Sequence, residues 1–456
     1  MRWLQSMSTD AVILAAGHGT RMRSRLPKML HPLLGRPMVQ WVVDACAQAT
    51  GRPITMIVGP DSDRLRTDIR GDVHYVVQDE RLGTGHAVLQ AAATLAGSEQ
   101  VLVVNGDLAL LLESSLSDLV AAQADHDGPF SLLSVHSATG RGFGRLIRDQ
   151  EGRVIQILEA AHASPGQLAI DELNVGAYCF QGDWLWSKLP ALEVSPKGEY
   201  YLTDLVELAA ADGQSVAVVE IDDISQAIGI NTRVHLAEAE AELRKRINRK
   251  WMLAGVTMQD PGSTFVGPDV ELATDITLLA NTHLEGLTRV GTGSLLGPNT
   301  IVRDSVIGEG CTLEASVIED SVLEDRVEVG PFSHLRPGTY LESGVHIGNY
   351  GEIKNSRLGR GAKMGHFSYL GDATVGKDVN IGAGTITCNY DGEHKHPTEI
   401  GDGAFIGSDT MLVAPVKIGR GARTGAGAVV TKDVPDGTVA VGIPARVIRR
   451  IALDNE

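Results

Sequence analysis

Residues 400–430 read IGDGAFIGSDTMLVAPVKIGRGARTGAGAVV. Ile400, Ile406, Leu412, Ile418, Thr424 and Val430 fall six apart, and Gly401, Gly407, Gly419 and Gly425 each follow one of them. An earlier run keeps the same step: Leu323, Val329, Leu335, Leu341, Ile347, Ile353. A step of six fits neither a helix at 3.6 nor a half-buried strand at 2. It fits a chain that turns a corner every six residues, one aliphatic side chain pointing inward per side and a glycine easing the turn. Three sides make a triangular coil that buries its face only against neighbouring coils. A parallel β-helix is therefore expected over about residues 290–430, beginning soon after Pro261; a run of ordinary strands is the plain alternative. Between Thr387 and Ile400 the step is thirteen. The run Cys388-Asn389-Tyr390-Asp391-Gly392-Glu393-His394-Lys395-His396 must leave the coil there as a loop, and such loops commonly carry function.

The chain has 456 residues, enough for two or three domains, and its 52 glycines suit a glycine-cornered solenoid. A net charge of −17 speaks against a nucleic-acid partner. Phosphorylated ligands remain open to it through local Lys, Arg and backbone N–H groups. Cys46, Cys179, Cys311 and Cys388 show neither metal-ligand spacing nor a disulfide framework, which suits the reduced thiols of a cytoplasmic protein. No apolar run is long enough for a membrane span. Residues 1–10 lack the apolar core of a signal peptide, and Met7 is an alternative expected start.

Ala11–Ala16 reads as a buried strand feeding the loop Gly17-His18-Gly19-Thr20-Arg21-Met22, with Pro27-Lys28 beyond. Glycines that let N–H groups approach an anion, beside Arg and Lys, make a phosphate-binding arrangement. The spacing is neither a dinucleotide fingerprint nor a Walker loop, and a plain turn has equal standing. A helix over Pro37–Ala49 follows, then strands Ile54–Val58 and His74–Val77. Gly83-Thr84-Gly85-His86 opens a helix through Ala96, and strand Val101–Val104 ends at Asn105-Gly106-Asp107. Alternating strands and helices imply a doubly wound α/β sheet with ligands at the strands' carboxyl ends. Asp107, just past a buried strand, is a candidate Mg²⁺ ligand or a helix cap. His235–Met252 reads as one charged helix, a solvated linker. The domains expected are 1–233, a linker helix 234–254, and 255–456.

With both halves placed, a resemblance emerges. Leu14-Ala15-Ala16-Gly17, Gly19-Thr20-Arg21-Met22 and Pro27-Lys28 resemble the signature of sugar-nucleotide pyrophosphorylases. Leu335-Arg336-Pro337-Gly338, Gly365-His366-Phe367-Ser368-Tyr369-Leu370-Gly371-Asp372, Asn380-Ile381-Gly382-Ala383-Gly384-Thr385 and Cys388-Asn389-Tyr390-Asp391-Gly392 are similar to the hexapeptide half of one bacterial family. That family is bifunctional: N-acetylglucosamine-1-phosphate uridylyltransferase and glucosamine-1-phosphate N-acetyltransferase. The resemblance covers nearly the whole chain. It implies a Rossmann-like mixed sheet of the nucleotidyltransferase kind, a linker helix, and a left-handed parallel β-helix of hexapeptide repeats. It implies acetylation of glucosamine 1-phosphate from acetyl-CoA, then coupling of N-acetylglucosamine 1-phosphate to UTP with Mg²⁺, for cell-wall precursor synthesis. It also implies a cytoplasmic homotrimer with acetyl sites between subunits.

By this resemblance Leu14, Ala15, Ala16 and Gly17 line uridine and phosphates, and Arg21 and Lys28 act on the phosphates. Gln78, Gly83 and Thr84 read uracil. Asn105, Gly106 and Asp107 bound the site, with Asp107 and Asn231 holding Mg²⁺. Gly144, Glu159 and Asn174 contact the sugar. In the β-helix, Arg336, Lys354, Tyr369, Asn380 and Lys395 hold the sugar phosphate. Ala383, Asn389, Tyr390, Ser408, Ala426 and Arg446 line acetyl-CoA. The acetyl step needs a neutral amine, and His366 suits the role of general base; a solvated side chain is the plain alternative.

Three departures accompany the resemblance. Ala109 stands where the family carries Pro. Glu159-Ala160-Ala161-His162-Ala163 replaces a Glu-x-Lys-Asp pattern and so lacks a cation. The family's arginine near Ile443 is absent, with Arg446 as its substitute. One alternative therefore keeps the acetyltransferase alone beside an altered sugar-nucleotide domain; another is a non-catalytic scaffold.

Overall fold

In the computed structural model the described residues are 8–140, 142–160 and 163–451. They form two compact units that divide between Leu243 and Arg244.

In the first unit the strand Thr9–Leu14 lies at the centre of a sheet, parallel to Gln100–Asn105 on one side and Ile54–Val58 on the other. Its side chains alternate between faces, as pleating dictates. Ala11 and Ile13 pack with the helix Met38–Thr50 through Val39, Val42, Val43 and Cys46. Val12 and Leu14 pack on the other face with Ala87, Val88, Leu205 and Val206. The doubly wound expectation holds for this parallel part but not for the whole sheet. Glu172–Gln181 runs antiparallel between Gln100–Asn105 and Phe130–His136, so the sheet is mixed. The helix expected from Thr84 through Ala96 is two pieces, Thr84–Leu89 and Ala92–Leu95.

In the second unit three sheets of parallel strands interleave, each strand pairing with the one three further along the chain until the carboxyl end, where Thr438–Val441 pairs with Arg423–Thr424 and, antiparallel, with Arg446–Arg450. The six-residue ladder is the path round the corners. Leu323, Leu341 and Leu358 stack in one sheet. Leu335, Ile353 and Leu370 stack in another, and Val329, Ile347 and Met364 in the third. All nine lie in one buried column. The solenoid begins at Thr257–Met258, before Pro261. Its early coils are harder to read because Val302 to Ile307 and Ile318 to Leu323 are sides of five residues.

The helix Arg233–Leu253 is less solvated than a linker. Ala239 and Leu243 are buried in the first unit's cluster with Met22, Leu33 and Ile230. Ile247 and Trp251 pack on the second unit's core, and buried Asn248 donates to the carbonyls of Pro261 and Thr264 at 2.9 Å each.

Candidate active sites

The carboxyl end of Thr9–Leu14 opens into a cleft of about 550 Å³. Leu14, Ala16, Gly17, Arg21, Lys28, Gln78, Gly83, Thr84, Asn105, Asp107 and Asn231 line it. Ala15 continues the strand by donating its N–H to the Ile57 carbonyl, and Gly106 donates to the Leu14 carbonyl at 3.0 Å. A Cβ at Gly106 would meet that carbonyl oxygen at 2.9 Å, so only glycine closes the floor this tightly.

Lys28 is the hub. Its Nζ donates to Asp107 Oδ2 at 2.6 Å and to Asn231 Oδ1 at 2.8 Å. Arg21 Nη2 donates to the same Asn231 oxygen at 2.8 Å. Gly19, at φ 61°, leaves the space that the Lys28 stem fills, since a Cβ there would stand 2.5 Å from Lys28 Cβ. Ile230 N–H donates to the Asp107 carbonyl at 3.1 Å, which brings Asn231 to Asp107 across the chain. Two hard oxygens thus converge on one cationic point. That donor set suits Mg²⁺, which takes few protein oxygens and keeps its waters. No cluster of three or more His, Cys, Asp or Glu side chains suited to a metal occurs among the described residues.

Buried Gln78 donates from Nε2 to the Gly83 carbonyl at 3.2 Å, and Thr84 Oγ1 accepts from Leu202 N–H at 2.9 Å. The residues expected at the sugar separate from this group. Glu159 lines a neighbouring cavity of about 450 Å³, which shares Tyr201 with the cleft. Asp204 lies in that cavity, its carboxyl pushed up to about 6 by burial first, then by the negative Glu207 and Glu159. Asn174 donates from N to the Gly144 carbonyl at 2.9 Å and from Nδ2 to Tyr178 Oη at 2.7 Å, so one of its two amide hydrogens is already engaged. Ala161 and His162 lie outside the described residues. Ala109 is buried in the apolar cluster of Leu110, Met22 and Ile230, a packing position.

Sequence reasoning passed over Arg81, which also lines the cleft. Its Nε donates to the Ala16 carbonyl at 2.5 Å and its Nη1 faces His18 Nε2 at 3.2 Å. The one available signal was a cation between Gln78 and Gly83.

In the β-helix, Lys363, Asn380, Phe405 and Arg423 are register partners on successive coils. His366, Ala383, Ser408 and Ala426 each follow one of them by three residues, so the four stack along a single corner. His366 is exposed there and makes no hydrogen bond among the described residues. Beyond Ala426 the neighbouring Gly425 is covered by Val441, whose antiparallel partner is exposed Arg446.

Arg336 follows the strand His334–Leu335 and Lys354 ends Gly351–Lys354, paired strands of the adjoining sheet one coil apart. Lys395 comes from the expelled loop and, first among causes, holds the Lys354 amine below the ordinary lysine range; Arg336 adds to this. Three cations gathered in this way suit a phosphate. Tyr369 Oη and Asn389 Nδ2 fill the space that glycine leaves at Gly371.

Asp372 pins the loop by accepting from Asn389 Nδ2 and Asn355 Nδ2 at 2.6 Å each. Tyr390 and Lys395 pair across the loop, and the Asp391 carboxyl is held far below the usual range by the His394 N–H, then by the His396 ring. Asn380 is not brought to this group. It belongs to a different sheet, and with Ile381 buried it faces outward from that sheet.

Residues 11–166 match the family described as MobA-like NTP transferase domain, and residues 397–432 match bacterial transferase hexapeptide (six repeats). The chain is 43% identical to the Bifunctional protein GlmU of Pelobacter propionicus over 444 residues, 96% of each chain. It is 45% identical to that of Heliobacterium modesticaldum over 94% of each. It is 42% identical to that of Streptococcus thermophilus over 96% of this chain and 95% of the other. Matched by these relatives over 94–96% of its length, the chain belongs to the GlmU family, bifunctional enzymes that join a nucleotidyltransferase domain to a left-handed β-helical hexapeptide acetyltransferase domain.

Proposed function

We propose that the chain makes UDP-N-acetylglucosamine in two transfers. The β-helix acetylates glucosamine 1-phosphate from acetyl-CoA. The α/β unit joins N-acetylglucosamine 1-phosphate to UTP and releases pyrophosphate. The observation that carries the reading is the meeting of Lys28, Asp107 and Asn231 at one point in the cleft beside the phosphate loop. A degraded sugar-nucleotide domain would have no reason to keep that constellation, so the acetyltransferase-only alternative finds no support here.

Attack of one phosphate on another needs charge neutralised and both partners aligned. Arg21 and Lys28 supply cations, and Gly17, His18 and Gly19 line the cleft with them, which supports a role for their N–H groups in taking an anion. Mg²⁺, when bound by Asp107 and Asn231, would offset charge on the triphosphate. Gln78, Gly83 and Thr84 take uracil, and Gly144, Glu159 and Asn174 form the sugar end of the site.

In the acetyl site Arg336, Lys354 and Lys395 hold the substrate phosphate. His366 removes a proton from the glucosamine amine as it attacks the thioester carbonyl, and the thiol of coenzyme A leaves. Tyr369 and the loop residues Asn389 and Tyr390 border the reacting groups, while Ala383, Ser408 and Ala426 form the small-residue track for acetyl-CoA, with Arg446 at its end. Asn380 joins such a site only if another copy of the chain supplies it, which supports a homotrimer with shared sites. A cytoplasmic setting belongs to the same reading and agrees with four free cysteines; no helix among the described residues is long and apolar enough to cross a membrane.

The test is a pair of assays on the purified chain: pyrophosphate release from UTP with N-acetylglucosamine 1-phosphate and Mg²⁺, and thiol release from acetyl-CoA with glucosamine 1-phosphate. Absence of the first, with the second intact, would return the acetyltransferase-only alternative.

A further inference from the structure

Gln78 is only 2% exposed, and the cleft meets it at one edge. Its Nε2 donates to the Gly83 carbonyl at 3.2 Å and lies 3.0 Å from His86 Nδ1. A carbonyl oxygen only accepts, so the Gly83 contact fixes which end of the carboxamide is nitrogen. With both Nε2 hydrogens directed at Gly83 and His86, Oε1 is left as the amide's free group. It has no hydrogen-bond partner among the described residues, yet it is not among their sealed, unsatisfied polar atoms. Gln78 thus offers the cleft an acceptor.

This orientation requires a lone pair on His86 Nδ1, hence the proton on Nε2. Gln90 Nε2 stands 3.2 Å from that Nε2 and also donates to the His86 carbonyl at 3.0 Å. A neutral imidazole accepts at only one nitrogen, so only one glutamine keeps its ring contact. Gln78 is buried, whereas half-buried Gln90 can keep its bond to the His86 carbonyl and turn its other hydrogen to solvent, so the ring contact goes to Gln78.

We propose that His86 is a positioning residue for nucleobase choice: by accepting from Gln78 at Nδ1, it keeps the Gln78 oxygen toward the base, favouring a pyrimidine with a ring N–H over one with a ring lone pair. Uracil carries the proton at N3 and cytosine does not. Without His86 the carboxamide is held by the 3.2 Å Gly83 contact alone; the turned form, with nitrogen toward the base, then becomes accessible and the preference relaxes. The inference rests on the reading of this cleft as a uridine nucleotide site.

The experiment compares kcat/KM for UTP and CTP in the parent, His86→Ala and His86→Asn chains, with acetyl transfer as the folding control. Asparagine places an amide oxygen near the position of Nδ1. The expected result is a UTP/CTP ratio that narrows about tenfold or more in His86→Ala, with a larger rise in KM for UTP than fall in kcat, and that recovers in His86→Asn. A ratio equal to the parent's in His86→Ala overturns the inference and leaves the uridylyl reading standing. A parent that uses CTP as well as UTP overturns the base assignment of the cleft and the inference with it.

Discussion

The ammonium of Lys28 and the carboxylate of Asp107 meet at 2.6 Å, with the lysine side chain only 9% exposed. A pair this sheltered is strong evidence of a task, because desolvating two ions gains little stability of its own. Asp107→Asn removes a negative charge at the point where Lys28 and Asn231 converge. Mg²⁺-dependent uridylyl transfer is expected to fall by about a hundredfold or more, with acetyl transfer unchanged because its residues belong to the other unit. The unpaired ammonium should also lower the melting temperature of the first unit. Mg²⁺ dependence identical to the parent's would assign the metal to other ligands.

The helix Arg233–Leu253 yields a second expectation. A fragment of residues 8–233 loses Ala239 and Leu243, which seal the cluster of Met22, Leu33, Met38 and Ile230. A fragment of residues 8–243 keeps them. Burying a leucine contributes about 1.5–3 kcal/mol, so the longer fragment should unfold at higher urea. Coincident midpoints would show that the helix adds nothing to this unit's stability.

That boundary shows where the sequence was legible. Leu412 and Ile418 announced their coil because a solenoid side has one inward position and a fixed length. The alternation of Ala11 to Leu14 announced a buried strand for a similar local reason. The antiparallel strand Glu172–Gln181 could not be placed, since pairing direction is decided by distant chain. The helix looked solvated because charged residues outnumber the few, Ala239, Leu243 and Asn248, that it buries. Within the sites, motif residues such as Lys28 and His366 were readable as residue types in a pattern. Arg81 and His86 meet Ala16 and Gln78 across the fold, and no local pattern encodes those contacts.

Asp204 makes stability depend on pH. Its folded-state carboxyl titrates at about 6, above the ordinary aspartate value, chiefly through burial. Between those values the folded chain holds a proton that the unfolded chain has released, so stability falls as pH rises through that window. The penalty is complete above it. Asp204→Asn should therefore raise the melting temperature of the first unit at pH 7.5 and leave it nearly unchanged at pH 4. A variant whose gain is equal at both values would remove Asp204 from the effect.

His366 provides the sharpest test of the acetyl site. It stands on the corner that also carries Ala383, Ser408 and Ala426, while the inward neighbours Met364 and Leu370 are both fully buried. His366→Ala leaves those core positions alone, so the β-helix should melt as the parent does. Loss of a positioned base should slow acetyl transfer by about 10²–10⁴-fold. Raising the pH supplies more neutral glucosamine amine without help from the protein and should restore part of the rate. Uridylyl transfer, whose residues lie in the first unit, should not change. Thiol release from acetyl-CoA at the parent rate near neutral pH would exclude His366 as the base and direct the search to Tyr390 and Lys395, the exposed residues that pair across the expelled loop.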